Sequence, residues 1–276
     1  MKKLYPILIL FSTFFLIFSS ITYGQHTHEK NSDESDHHHG LHFVHPMFTE
    51  SVSPDTKMRL DYQLQHPGPN SETELEGEYA FSRIFSLEAG VHYDPVETSI
   101  GNTHLLFKFA NYALEEQGVL LGYGLSLDFP TGSGHGHGTS VNPDQEPADH
   151  HHAENIYQFS PFLNAGIKAG NLELVGWSLF NIPTNHAHPE DATTSLDYNI
   201  SALYHLSSRI QPLVEFTGTR QLSGVSNNGN TLHVAPGLRA KLLKDTPLIV
   251  GLGMRIPVTK ERSFDNQVQV SAFYHF

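Results

Sequence analysis

Histidine is the residue type with the most chemistry to offer here: the 276-residue chain holds 20 of them and no cysteine. Most gather in three segments. His26, His28, His37, His38, His39, His42 and His45 lie near the N-terminus. His135, His137, His150, His151 and His152 lie in a Gly/Pro-rich stretch, and His186 and His188 in another polar stretch. Aspartate and glutamate are interleaved with all three: Glu29, Asp33, Glu34 and Asp36, then Asp144, Glu146, Asp149 and Glu154, then Glu190 and Asp191. Neutral imidazole with carboxylate is a donor set for Zn, Cu, Ni or Co, and short His-rich tracts read as metal-binding. H-x-H and HHH spacings fix no rigid geometry, so these tracts are expected to collect metal weakly and reversibly. The competing reading is a solvated polar loop that happens to use histidine. Because imidazole must be neutral to bind, collected metal should be released as pH falls through the ordinary histidine range, near ~6.5.

A second set lies inside more regular sequence. Met58 to Leu64, Leu75 to Phe81 and Phe85 to Tyr93 alternate apolar with polar residues, which is the strand period. If the 95–101 connection is symmetric, His92 and His104 are direct cross-strand neighbours. If Phe81 pairs with Phe85, Glu74 falls opposite His92. Glu74, His92 and His104 then form a His-His-carboxylate set of transition-metal type. A slip of one residue would turn one partner to the opposite face. No G-x-S-x-G, HExxH or Walker-type loop appears, so catalysis is not expected. No obligatory cofactor is expected, with a divalent transition metal as an optional one.

The elements that must position these groups are strands. Alternation continues through Thr103–Phe109, Val119–Phe129, Tyr157–Ile167, Leu172–Ile182, Leu196–Tyr204, Ile210–Gln221, Leu232–Leu242, Leu248–Val258 and Val268–Phe276, giving twelve strands in all. Each is close to the ~9–11 residues that a tilted membrane-spanning strand needs. Connections at 82–84, 169–171 and 207–209 are short, and those at 110–117 and 243–247, on the same side, are somewhat longer. Those at 66–71, 95–101, 130–155, 184–193, 222–229 and 259–265 complete the alternation. Tyr62, Tyr79, Phe81, Phe85, Tyr93, Phe129, Tyr157, Tyr198 and Tyr204 sit toward strand ends on the apolar face, as interfacial aromatic girdles do. The fold expected is therefore all-β: a closed antiparallel transmembrane β-barrel of about twelve strands, preceded by a disordered His-rich N-terminal tail. The competing soluble architecture, a β-sandwich, has no reason to place aromatics there.

On that reading the opposite face lines a lumen. It receives Arg59, Asp61, Glu74, Glu76, Glu78, Glu88, His92, Asp94, His104, Lys108, Asp128, Asp197, His205, Glu215, Arg239, Lys241 and Arg255. These charges either make a transverse field that favours cations along one wall, or pair with one another and fill a narrow barrel. The net charge of −13 argues against nucleic acid as a partner.

Residues 1–24 read as a secretory signal peptide: Lys2 and Lys3, an apolar run from Leu4 to Phe18, then Thr22 and Gly24 at positions −3 and −1 of a cleavage site. Residues 25–56 read as a His-rich flexible tail and linker, and 57–276 as the barrel. The chain stops in VQVSAFYHF, with Phe276 in phase with Tyr274, Val270 and Val268. A last amphipathic strand ending in phenylalanine resembles the insertion signal of bacterial outer-membrane proteins. It implies Phe276 and Tyr274 as signal residues, the barrel-assembly machinery and outer-membrane lipid as partners, and the bacterial outer membrane as location.

The strand Gly122–Phe129 running into Pro130-Thr131-Gly132 resembles the LxLPTG strand-to-loop junction of an outer-membrane transporter family named for the phenol-degradation meta-pathway locus. GEYAFSRIFSLEAGVHY is similar to that family's second hairpin. The resemblance implies a small outer-membrane barrel with a transport role, and it carries no catalytic residues. The function expected is an outer-membrane channel or transporter linked to transition-metal handling, with metal ions or small solutes as its partners. The alternatives are a pore for small apolar or aromatic compounds, and a non-conducting barrel that displays metal-collecting loops.

Overall fold

The computed structural model describes residues 41–67, 70–96, 98–132, 157–184, 193–223, 229–243, 246–262 and 264–276. Alternating side chains leave each strand with one face for each of two environments, and only a closed sheet satisfies every backbone group in lipid. Twelve antiparallel strands close in that way: β1 Lys57–His66, β2 Ser71–Ser82, β3 Phe85–Asp94, β4 Ser99–Asn111, β5 Val119–Phe129, β6 Gln158–Ala169, β7 Leu172–Pro183, β8 Ser195–Tyr204, β9 Ile210–Gln221, β10 Asn230–Lys241, β11 Leu248–Pro257 and β12 Asn266–His275. Each pairs with its sequence neighbours, and β1 pairs with β12 through Met58↔Tyr274 and Tyr62↔Val270. The even count returns both ends of the barrel to the short-turn side. A single 3-10 turn, Glu115–Gln117, interrupts the β4–β5 connection.

The two faces carry the chemistry that the alternation demands. Outside, Tyr62, Leu121, Leu163, Ile200, Phe216, Leu252 and Val270 are exposed. This apolar band is a lipid-facing surface. Phe81, Phe85, Phe109 and Tyr123 stack in a row across four strands, with ring centroids 5.4, 4.8 and 5.6 Å apart. They make an aromatic belt near the short turns. Inside, Lys57, Arg59, Asp61, Glu76, Glu78, Glu88, Lys108, Glu215 and Arg239 are buried. In β12 the inward residues are Gln267, Gln269, Ser271 and Phe273, and the outward ones Val268, Val270 and Tyr274, which is the expected phase.

One expectation is corrected. Residues 41–56, read from sequence as part of the flexible tail and linker, fill the short-turn half of the lumen. Phe43, His45, Met47, Ser51, Val52 and Ser53 have no solvent exposure. Phe43 packs with Val52 against Ala110 of β4, Leu120 of β5 and Val175 of β7, over Gly166 of β6, where a Cβ would lie 2.7 Å from its ring. Met47 packs with Leu203 of β8 and Leu213 of β9, and lies over Gly251 and Gly253 of β11. The Met47 and Phe48 N–H groups donate to Glu215 of β9 at 2.7 and 3.0 Å. Asn164 of β6 donates to the Ser51 carbonyl at 3.2 Å, Asn199 of β8 to that of Phe48 at 3.2 Å, and Gln269 of β12 to that of Met47 at 2.9 Å. The Arg59 guanidinium of β1 also donates to the Met47 carbonyl. A segment in contact with strands on every side of a closed barrel can only be inside it. It orders because the barrel supplies partners for backbone groups that would otherwise be buried unpaired.

Candidate functional site

The short-turn half of the lumen is a knot of charge. Lys57 Nζ lies 2.9 Å from His45 Nδ1 and 3.1 Å from both Glu78 Oε2 and Glu88 Oε2. Lys108 Nζ lies 2.6 Å from Glu50 Oε1 and 2.9 Å from Glu78 Oε1. Asp55 meets His275 at 2.7 Å, and His42 and His45 at 3.6 and 3.7 Å. His42, assigned from sequence to a metal-collecting tract, is therefore part of this packed network. Of the two readings of the lumen charges, pairing prevails in this half.

Three groups of the plugging segment titrate away from their ordinary values. Burial disfavours the His45 imidazolium, and Lys57 and Lys108 add to this, so His45 is held well below the usual histidine range. Burial opposes ionisation of Glu50, but Lys108 and Lys57 outweigh it and hold that carboxyl down at about 2. Asp55 is likewise buried, and its hydrogen bonds with His275 and His42 keep it well below the carboxylate range.

Toward the long-loop end the lumen opens into a vestibule of about 380 Å³. Met47, Phe48 and Glu50 form its floor, and its wall divides by chemistry. On β1 to β5 stand Asp61, Glu74, Glu76, Glu88, His104 and Asp128, with Arg59 among them 2.6 Å from Asp61 and 3.5 Å from Glu76; the rest of the lining includes Trp177, Leu179 and Asn181 of β7, Asp197 of β8 and Arg255 of β11. The Arg255 guanidinium lies 4.5 Å over the Phe48 ring, so this cation is held at the floor, away from the acidic wall.

Glu74, His92 and His104 come together on that wall. Glu74 pairs with His92 in the β2–β3 ladder, as the hairpin arithmetic requires, and His92 Nε2 lies 3.2 Å from Glu74 Oε1. The β3–β4 register differs from expectation. His104 stands opposite Gly90, because an irregularity between Val91 and Tyr93 breaks the symmetry of the loop. Gly90 makes the meeting possible all the same. A Cβ there would lie 2.1 Å from the His104 ring, so the ring occupies that space and reaches toward His92, with ring centroids 5.9 Å apart and His104 Nδ1 4.0 Å from Glu74 Oε1. Glu72, missed from sequence, stands 2.7 Å from His92 Nδ1; its in-phase position two residues before Glu74 was the available signal. Donor atoms of Glu76, Glu88 and His104 also lie within 4.8 Å of one another, as do those of His45, Glu50 and Glu78. The tract histidines His26, His28, His37, His38, His39, His135, His137, His150, His151, His152, His186 and His188 lie outside the described residues.

A closed twelve-strand barrel with an apolar exterior and a charged lumen has the build of porin-like outer-membrane barrels. Solved structures share that fold. The NanC porin superposes with a TM-score of 0.57 at 10% identity, over 80% of this chain and all of that one. An outer membrane channel from Pseudomonas putida F1 gives 0.54 at 13% identity, over 89% of this chain and all of that one. The KdgM porin, solved with oligogalacturonate, gives 0.52 at 14% identity, over 80% of this chain and 99% of that one. No family model matches the chain, and no curated protein matches its sequence.

Proposed function

We propose that this chain is an outer-membrane channel that takes small solutes into the vestibule from the long-loop, outer side, and that residues 41–56 control passage to the inner side. The observation that carries this reading is the vestibule itself: open at one end, closed beneath by a segment that is not one of the spanning strands. The acidic and imidazole wall favours cations, since acids outnumber bases among its lining groups and fixed charge in a narrow lumen concentrates counter-ions. We read the cargo as transition-metal ions, with the His-rich tracts as collectors and no catalytic step.

Conductance in planar bilayers tests the channel. The full-length protein should show small cation-selective currents that rise several-fold when the segment is released. A chain that never conducts, even with residues 41–56 released, would reduce the protein to a binding barrel. A second reading, a pore for small apolar or aromatic compounds, draws on the other side of the vestibule, where Trp177 and Leu179 stand. Growth of a deletion strain across metal concentrations, compared with growth on aromatic carbon sources, separates the two cargos.

A further inference from the structure

Among the described residues, the lumen contains three His/carboxylate groups whose donor atoms are close enough to share one cation, and they descend the same wall. From the mouth inward they are Glu74, His92 and His104; then Glu76, Glu88 and His104; then His45, Glu50 and Glu78. His104 belongs to the first two. The third already has cations: the Lys57 and Lys108 ammonium groups stand 2.6 to 3.1 Å from His45, Glu50 and Glu78. So has the second, with Glu88 3.1 Å from Lys57 and Glu76 3.5 Å from Arg59. Among the described residues, no lysine or arginine is ion-paired with the first group, although Glu74 and His104 side chains are only 15% and 13% exposed. We propose that a divalent transition-metal ion binds Glu74, His92 and His104 in the vestibule, the ion-paired groups beneath ending its descent. The proposal rests on the channel reading and names its cargo and first binding site.

The geometry suits the ion. Tetrahedral bonds of about 2.0–2.1 Å set ligand atoms roughly 3.3 Å apart. His92 Nε2 and Glu74 Oε1 stand at 3.2 Å, and His104 Nδ1 needs to close only from 4.0 Å. Two imidazoles and a carboxylate leave a fourth position open for water, as expected of a site that must also release its ion. Glu72, 2.7 Å from His92 Nδ1, orients the ring from behind with Nε2 forward, the outer-shell arrangement usual for metal-bound histidine.

The test uses the full-length chain in detergent, with the twelve tract histidines changed to asparagine so that they add no background. Co²⁺ titration followed by visible absorption should show one equivalent bound with nitrogen ligation, and Zn²⁺ should displace it. His92→Asn and His104→Asn together should raise the Kd at least a hundredfold. Gly90→Ala keeps every ligand but fills the space of the His104 ring, and should raise it about tenfold. Heat-modifiable migration of the barrel on gels reports that each variant is folded. No Co²⁺ binding to the tract-substituted chain, or unchanged binding in the folded double variant, overturns the site whatever the conductance. Binding without any conductance overturns the channel reading and leaves the site standing.

Discussion

The two halves of this lumen use the same residue types to opposite ends. In the short-turn half, Glu50, Glu78 and Glu88 face Lys57 and Lys108 at hydrogen-bond distance, His45 is sealed among them, and the space between the walls is filled by the chain itself. In the long-loop half, Glu74 and Asp128 stand beside His104 on the wall of an open vestibule, and Arg255 is held apart over Phe48. What separates a structural charge cluster from a candidate binding site here is whether the protein supplies the counter-cation from its own side chains. A buried carboxylate must have a cation from somewhere. Where lysine provides it the group is locked, and where none does the group is available to an ion from outside.

The comparison breaks most sharply at Lys108. Lys108→Met leaves Glu50 and Glu78 buried without their ammonium partner. It should cost about 3–5 kcal/mol, the scale for removing one member of a buried pair, as read by urea unfolding of the folded barrel in detergent. Glu74→Gln in the vestibule should cost well under half of that, since its surroundings are partly wet. Equal losses would erase the distinction between the halves.

Next in size is the anchoring of the plugging segment. Phe43→Ala removes the ring that packs on Ala110, Leu120 and Val175, and should weaken docking by about 3 kcal/mol or more. Released segments should show as higher conductance and as new protease cleavage between residues 41 and 56. A cysteine pair at Ser51 and Asn164, in a chain with no native cysteine, should hold conductance low once cross-linked. Unchanged current in both variants would remove residues 41–56 from control of passage.

Acid should act in the same direction more gently. His45 is held neutral when docked, so the undocked segment binds more protons once pH falls below the ordinary histidine value near ~6.5, and docking weakens. It faces Glu50, Asp55 and His42 of its own segment, Lys57, Glu78, Lys108 and His275 of the strands. The depressed carboxyls of Glu50 and Asp55 contribute stability that is complete above their ordinary range, and lost as pH falls from there toward about 2 for Glu50. Conductance should therefore rise from pH 7.5 to pH 5 and further below pH 4.5, while the vestibule loses bound Co²⁺ over the upper part of that range. Currents that fall on acidification would contradict the sign.

The smallest effect on the lumen belongs to the far end of the chain. Deleting Phe276 should leave the charge knot and the vestibule untouched in refolded protein, yet lower outer-membrane levels in cells if β12 and its terminal residue serve insertion. Quantitative blotting of outer-membrane fractions checks this.

The strands were legible because alternation is local. Met58, Leu60 and Tyr62 against Arg59, Asp61 and Gln63 already say which side chain faces lipid, whatever the rest of the chain does, and from that follow the even count, the lumen charges and the Glu74–His92 pair. The site was half legible. Hairpin arithmetic brought Glu74, His92 and His104 together, but the means differ: an irregular β3–β4 register and the space over Gly90, neither of which leaves a mark in hydropathy. The plugging segment could not be read at all. Leu41 to Thr56 keeps no strand period, and Pro46 and Pro54 interrupt it, so by itself it is coil. Its partners Asn164, Asn199, Glu215 and Gln269 lie 113 to 222 residues away, and its hydrogen bonds exist only once twelve strands have closed around it. Sequence determined the faces of the wall, because a side chain's direction in a strand depends on its neighbours alone. Tertiary structure decided what fills the lumen and what stays open, because that depends on which distant groups the closed barrel brings within reach.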